Sequence, residues 1–204
     1  MGKKIFVVKQ GGIGDVILAT PILAELKSQY PDCWITLMVF QNAVDVVTGL
    51  SFIDEVFTYN KEKDSIWKLY RKMRGNDMAV FLDLSYRPAM VAALARIPVR
   101  IGIEHKRKFW LTHKIKWQEY MDHIYEPYVF GDILKESIGL DIPREKLNQL
   151  YIASADETDR RKLWEKLQLG NIHKGDSYVV CSPVTAFFLK NWPLGRWNEL
   201  FIRI

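Results

Sequence analysis

Long apolar runs, paired cysteines and metal-type spacings are all scarce in this sequence. No stretch approaches the roughly 18 to 20 consecutive apolar residues that a membrane-spanning helix requires, and the apolar start at Ile5–Val8 is too short for a signal peptide. A cytoplasmic protein is the expectation. Only two cysteines occur, Cys33 and Cys181, far apart and in apolar surroundings, so both read as reduced packing residues rather than a zinc or redox pair. His105, His113, His123 and His173 show neither metal-ligand nor triad spacing, and no metal is expected. Internal repeats and low-complexity stretches are also missing.

What is present is the balance of a globular protein: 204 residues, 49% of them hydrophobic and 26% charged. The formal net charge of +5 suits an anionic partner without choosing among a phosphate-bearing sugar, a lipid headgroup and a nucleic acid. Apolar, partly β-branched runs at Ile5–Val8, Ile35–Val39, Val56–Thr58, Ala79–Leu84, Arg100–Ile103 and Tyr178–Cys181 read as strands. Helical spacing falls at Val16–Gln29, Ala43–Thr48, Ser65–Arg74, Pro88–Arg96, His123–Ser137, Ala155–Leu167 and Pro193–Ile204. Ser154 and Glu157 form a candidate capping box, Gly49 stands where a C-terminal glycine is expected, and Pro31 and Pro98 follow their helices. This alternation predicts an α/β fold with a doubly wound parallel sheet, in which ligands bind at the carboxyl ends of the strands. Residues 139–150 read as a link, which divides the chain into a first domain at 1–150 and the opening of a second at 151–204.

The sharpest local feature is Gln10-Gly11-Gly12-Ile13-Gly14-Asp15, set between the first strand and the first helix. Glycines there allow a tight turn and close approach of a ligand to the backbone. Ile17 replaces the third glycine of a dinucleotide fingerprint, and Phe40-Gln41-Asn42 replaces its acidic residue, so a nicotinamide cofactor is not expected. No Gly-Lys-Ser/Thr follows, which excludes a P-loop. Asp15 would repel a pyrophosphate at the helix mouth, yet it suits a base that takes a proton from a hydroxyl. On spacing alone, a base and a simple helix cap fit Asp15 equally well.

Lys4–Lys9, then Gly11-Gly12-Ile13-Gly14-Asp15-Val16-Ile17-Leu18-Ala19-Thr20-Pro21-Ile22-Leu23, Leu26-Lys27 and Tyr30-Pro31, resemble the opening of the heptosyltransferases of glycosyltransferase family nine. The resemblance continues through Asp77–Leu84 with Arg87, Ala95-Arg96 and Arg100-Ile101-Gly102, and returns at Thr185 and Lys190-Asn191-Trp192-Pro193. It implies a GT-B-like architecture: a Rossmann-like domain that binds the lipopolysaccharide acceptor, facing a second that binds an ADP-sugar. It further implies inverting transfer of heptose from ADP-heptose to the lipopolysaccharide inner core, without cofactor or metal. In this reading Asp15 is the general base and Gly12, Gly14, Arg87 and Arg100 meet the acceptor. Thr185 and Lys190 would hold the diphosphate. Val184, Ala186, Phe187, Phe188 and Leu189 depart from the family's small and polar residues at that point.

Two domains of this type need roughly 300 residues, so the sequence reads as the first domain plus the first strand-helix unit of the second. The expectation is that the isolated chain shows no measurable transfer. The alternative reading is a truncated remnant or acceptor-binding module without turnover.

Arg96, Arg100, His105, Lys106, Arg107, Lys108, His113, Lys114 and Lys116 cluster around Phe109, Trp110 and Trp117. Such a cluster steers a polyanion by long-range attraction, which suits recognition of the acceptor or peripheral contact with the inner face of the inner membrane, while any single lysine in it reads most simply as a solvated surface charge. Nucleic acid ranks last, because no helix-turn-helix, zinc spacing or RNP-like strand accompanies the charges.

Overall fold

A computed structural model describes residues 2–173, 175–177, 179–182 and 191–203. The chain divides into two compact units, Met1–Ser154 and Ala155–Ile204.

The first unit is built on a six-stranded sheet with β1 (Lys4–Val8), β2 (Trp34–Val39), β3 (Glu55–Thr58), β4 (Met78–Phe81), β5 (Val99–Glu104) and β6 (His113–Lys116). The strands lie in the order β3-β2-β1-β4-β5-β6, and every pairing is parallel. In β1, Ile5 and Val7 enter one buried cluster while Phe6 and Val8 enter another, so both faces of the strand are covered. This is why β1 reads as an unbroken apolar run instead of an alternating one. Helices α1 (Ile13–Gln29) and α4 (Glu126–Ile138) cover the Ile5 face, and α2 (Ile66–Met73) and α3 (Tyr86–Leu94) cover the Phe6 face. Phe6 and Phe81 are fully buried, each stabilising the fold by about 2 to 3 kcal/mol through area removed from water.

Helix α1 carries Pro21 in its interior. A proline lacks the N–H that would bond the carbonyl four residues back. That carbonyl belongs to Ile17, and the Thr20 hydroxyl donates to it at 2.7 Å. The same Thr20 oxygen accepts the Tyr151 amide at 3.0 Å, tying the end of the unit to its first helix. Helix α4 ends at Gly139 with φ +72°, a left-handed C-terminal residue of the kind glycine adopts without strain.

Several expectations need correction. Residues 43–48 do not form a helix: a 3-10 turn at Gln41–Ala43 is followed by hydrogen-bonded turns. Val44, Val46, Val47 and Thr48 are β-branched, and so short a segment does not repay helix nucleation. The fourth strand stops at Phe81 instead of Leu84, because the chain turns at Asp83 and Ser85. Strand β6 lies within the stretch read only as basic, and its connection to β5, residues 105–112, contains no helix. A four-residue helix, α5 (Arg144–Leu147), occupies the segment read as a link, with Leu147 buried against Gly131.

In the second unit, α6 (Glu157–Leu169) is capped by Asp156, whose Oδ1 accepts the Asp159 amide at 2.7 Å. The expected cap at Ser154 therefore lies two residues too early; aspartate serves the same purpose as serine. Helix α7 (Leu194–Phe201) follows Pro193, with the Trp197 ring packed on Phe201 at 5.6 Å and on Trp192 at 5.3 Å. Residues 179–182 have no regular secondary structure, and Tyr178 lies outside the described residues.

Candidate functional site

The chain leaves β1 for α1 on one face of the sheet and leaves β4 for α3 on the other. A crevice opens between such strands at their carboxyl ends. Its two walls are the loop from Lys9 to Gly12 and the turn from Leu82 to Ser85.

Asp83 joins these walls. Its Oδ2 accepts the Gln10 amide and its Oδ1 accepts the Ser85 amide, each at 2.8 Å. Behind it lies Arg107, whose side chain is 1% exposed and whose Nη1 stands 3.9 Å from Asp83 Oδ1. Arg107 Nε donates to the Ile103 carbonyl at 3.1 Å, and Nη1 donates to the Ser85 carbonyl at 3.2 Å. Burial pushes this guanidinium down to about 10, with Asp83 pulling it back up. Its head also faces the Phe81 ring at 5.5 Å. Gly102 leaves the space for it, since a Cβ there would lie 3.1 Å from Arg107 Nη2 and 3.2 Å from Phe81 Cβ.

Gly12 is the N-cap of α1, and its amide donates to Asp15 Oδ2 at 2.6 Å. Asp15 therefore sits three positions into the helix and reaches back to the cap, which is different from being the cap itself. This bond holds one carboxylate oxygen in place. The Asp15 side chain remains exposed, and Oδ1 accepts no hydrogen bond from the described residues. Gly11 is required by this arrangement, because a Cβ on it would meet Asp15 Oδ2 at 2.5 Å and Asp15 Cβ at 2.9 Å. Gly14 meets no such limit, with nothing within 4 Å of the Cβ position.

Gln10 connects this loop to a cleft of about 550 Å³ lined by Gln10, Phe40, Tyr59, Ser85, Tyr86 and Arg87, among others. Gln10 Nε2 donates to the Tyr59 carbonyl at 2.9 Å. Arg87 Nη1 donates to the Tyr59 hydroxyl at 3.3 Å and to the Lys61 carbonyl at 3.0 Å. On the other side of the loop Lys9 is buried and pairs with Glu126 at 2.6 Å. Lys9 and Glu126 line a smaller hollow of about 210 Å³ with Leu84 and Trp117.

Among the residues singled out in the sequence, Gly12, Gly14 and Asp15 lie together at the start of α1, and Arg87 lines the neighbouring cleft. Arg100 is not brought to them. It lies near the start of β5, level with Ala79 of β4 and thus with Phe6 of β1, and its guanidinium donates to the Ile97 and Trp110 carbonyls. Thr185 and Lys190 lie outside the described residues. Gln10, Tyr59, Asp83 and Arg107 had not been singled out as site residues. An acid directly after the apolar run of β4 was the available signal for Asp83. Among the described residues, no group of three or more His, Cys, Asp and Glu is placed to hold a metal ion, and no helix is long and apolar enough to cross a membrane.

A family model described as glycosyltransferase family 9 (heptosyltransferase) matches residues 66–204. Lipopolysaccharide heptosyltransferase 3 of Escherichia coli is 21% identical over 202 residues, and its counterpart in Escherichia coli strain K12 is 23% identical. Each match covers 92% of this chain, which spans 56% of the relative's length. Among solved structures, the glycosyl transferase family 9 protein of Veillonella parvula DSM 2008 superposes with a TM-score of 0.77 at 22% identity, covering 97% of this chain and 58% of that one. Escherichia coli ADP-heptose lps heptosyltransferase II gives 0.73 at 17% identity, covering 98% and 60%. The parallel sheet and its helices thus match the GT-B fold of these enzymes.

Proposed function

The chain belongs to glycosyltransferase family 9, and from that premise we propose that it carries the acceptor side of a transferase moving heptose from ADP-heptose to the lipopolysaccharide inner core. The observation that carries this reading is the Asp15 carboxylate, exposed at the carboxyl edge of the sheet with one oxygen fixed by the Gly12 amide.

In the proposed step, Asp15 removes the proton of an acceptor hydroxyl as that oxygen attacks the anomeric carbon. The bond from this carbon to the diphosphate oxygen breaks on the opposite face, its electron pair leaves with ADP, and the centre inverts. Fixing Oδ2 leaves Oδ1 as the proton acceptor and limits the directions from which the hydroxyl can approach. Thr185 and Lys190 would stabilise the departing diphosphate with a hydroxyl and a positive charge, work that a metal performs in other enzymes. Arg87 and the cleft beside Gln10 would orient the anionic acceptor, and Gly12 and Gly14 let it approach the backbone.

The test is a transfer assay with ADP-heptose and a deep-core lipopolysaccharide acceptor, run beside calorimetric binding of the acceptor. Where the unaltered chain shows transfer, Asp15→Asn is expected to reduce it at least a hundredfold while leaving acceptor binding within about twofold. Transfer that survives this substitution removes Asp15 from the role of base. Acceptor binding without any transfer by the unaltered chain would assign it the binding role alone.

A further inference from the structure

The sheet has a second opening, at the end opposite the Asp15 crevice. Helix α2 ends at Met73, and beyond its last turn a hollow of about 510 Å³ lies over the amino ends of β1, β2 and β3, walled by Lys72, Arg74 and Asn76. Lys4 pairs with Trp34 and Thr36 with Glu55 in the parallel register, and all four fall on the face of the sheet that carries Phe6. They form the floor of this hollow. Trp34 is 49% exposed, although the other five residues of β2 are buried. Its indole gives the floor an apolar, aromatic surface.

The charges around it do not cancel. Glu55 is matched already, since it pairs with Lys72 and accepts the Thr36 hydroxyl at 3.3 Å. The Lys4 ammonium and the Arg74 guanidinium have no acidic partner among the described residues. A cation beside a helix carboxyl end ordinarily answers the free carbonyls there. Here that work is done by Asn76, whose Nδ2 donates to the Lys72 and Met73 carbonyls at 3.1 and 2.8 Å. Asp32, the other acid of the hollow, is exposed and forms no ion pair with the described cations. Two cations therefore stand available beside an open indole.

We propose that this hollow binds a nucleoside monophosphate, with the base stacked on Trp34 and the phosphate held by Lys4 and Arg74. A stacked base needs only an aromatic face, and a guanidinium forks onto two phosphate oxygens. The Asp32 carboxylate can accept hydrogen bonds from ribose hydroxyls. The volume falls within the range of about 300 to 1,000 Å³ usual for small-molecule sites. An isolated phosphate would leave the indole unused, and an uncharged aromatic would leave the cations unmatched. The length of β1 separates this hollow from the loop before Asp15, so the inference goes beyond the transferase reading and requires neither its donor nor its acceptor.

Calorimetric titration of the chain with AMP, adenosine and ribose 5-phosphate tests it. AMP is expected to bind saturably with a Kd below about 1 mM, and the other two at least about tenfold more weakly, since each lacks one of the two contacts. Trp34→Ala is expected to weaken AMP binding about tenfold or more, and Trp34→Phe to stay within about threefold of the unaltered chain. Arg74→Ala should weaken AMP without changing adenosine. Asp15→Asn and Lys190→Ala should leave AMP binding unchanged, which distinguishes the hollow from the transferase cleft. Circular dichroism keeps the Trp34 and Arg74 variants comparable, because both side chains are exposed. Absence of saturable AMP binding, binding that survives Trp34→Ala, ribose 5-phosphate equal to AMP, or a loss that follows Lys190→Ala in place of Trp34→Ala would each overturn the proposal.

Discussion

Asp83 and Gln10 stand 73 residues apart, yet the Asp83 carboxylate accepts the Gln10 amide at 2.8 Å and so fastens the turn after β4 to the loop after β1. The other carboxylate oxygen holds the Ser85 amide at the same distance, with Arg107 behind it. Asp83→Ala would leave two amides without their acceptor and a buried cation without its counter-charge. The expected loss is about 2 to 4 kcal/mol in urea denaturation, with Asp83→Asn losing less because it keeps one acceptor oxygen. Equal stability of Asp83→Ala and the unaltered chain would show that the two loops are held by something else.

The glycines of the first loop are expected to separate cleanly. Gly11→Ala drives a methyl into Asp15 and must displace the carboxylate from the Gly12 amide. It should cost about 1 to 3 kcal/mol. Gly14→Ala meets nothing within 4 Å and lies inside α1, so it should be neutral or stabilising by up to about 1 kcal/mol. Thermal unfolding of the two variants checks the contrast.

Thr20→Val keeps the shape of a buried side chain and removes its hydroxyl. The Ile17 carbonyl, already without a donor at Pro21, and the Tyr151 amide both lose their partner. A loss of about 2 kcal/mol is expected. Hydrogen exchange should also quicken at Tyr151, and protection at that amide equal to the unaltered chain's would contradict the assignment.

Arg107 predicts an alkaline effect whose sign follows from burial. Burial lowers its folded pKa to about 10, well below the ordinary guanidinium range, so between those limits the unfolded chain binds the proton that the folded chain has lost. Stability attributable to this group therefore rises with pH across that window, and below about pH 10 its full burial penalty is present. Compared with Arg107→Met, the unaltered chain should gain ground as pH increases from 10 toward 12. Parallel stability curves for the two proteins would remove the effect.

Strands buried on both faces and helices with definite ends were legible in the sequence, which is why β1, β2 and α1 were anticipated to within a few residues. Strand β6 was not, because His113-Lys114-Ile115-Lys116 offers a single apolar residue and its connection has no helical period. The junction of β1 and α1 that carries Asp15 stood out through its glycines, whereas the brace that fixes the loop before it did not. Arg107 belongs to a residue type that is ordinarily solvated, and its burial is offset by the carbonyls of Ile103 and Ser85 and the Asp83 carboxylate, brought together by folding. Arg100 shows the converse: it sits in a recognisable motif, but its donors are taken up by the backbone at Ile97 and Trp110.

The opening at the head of this sheet comes from the winding of the backbone, since β1 and β4 send their chains to opposite sides. No particular side chain is needed to create it. Phe40 and Tyr86, both exposed, can therefore be exchanged without closing the gap, so the chemistry of its lining is free to drift. Gly11, Asp83 and Gly102 have no such latitude, because each occupies space or makes a bond that the winding alone does not supply.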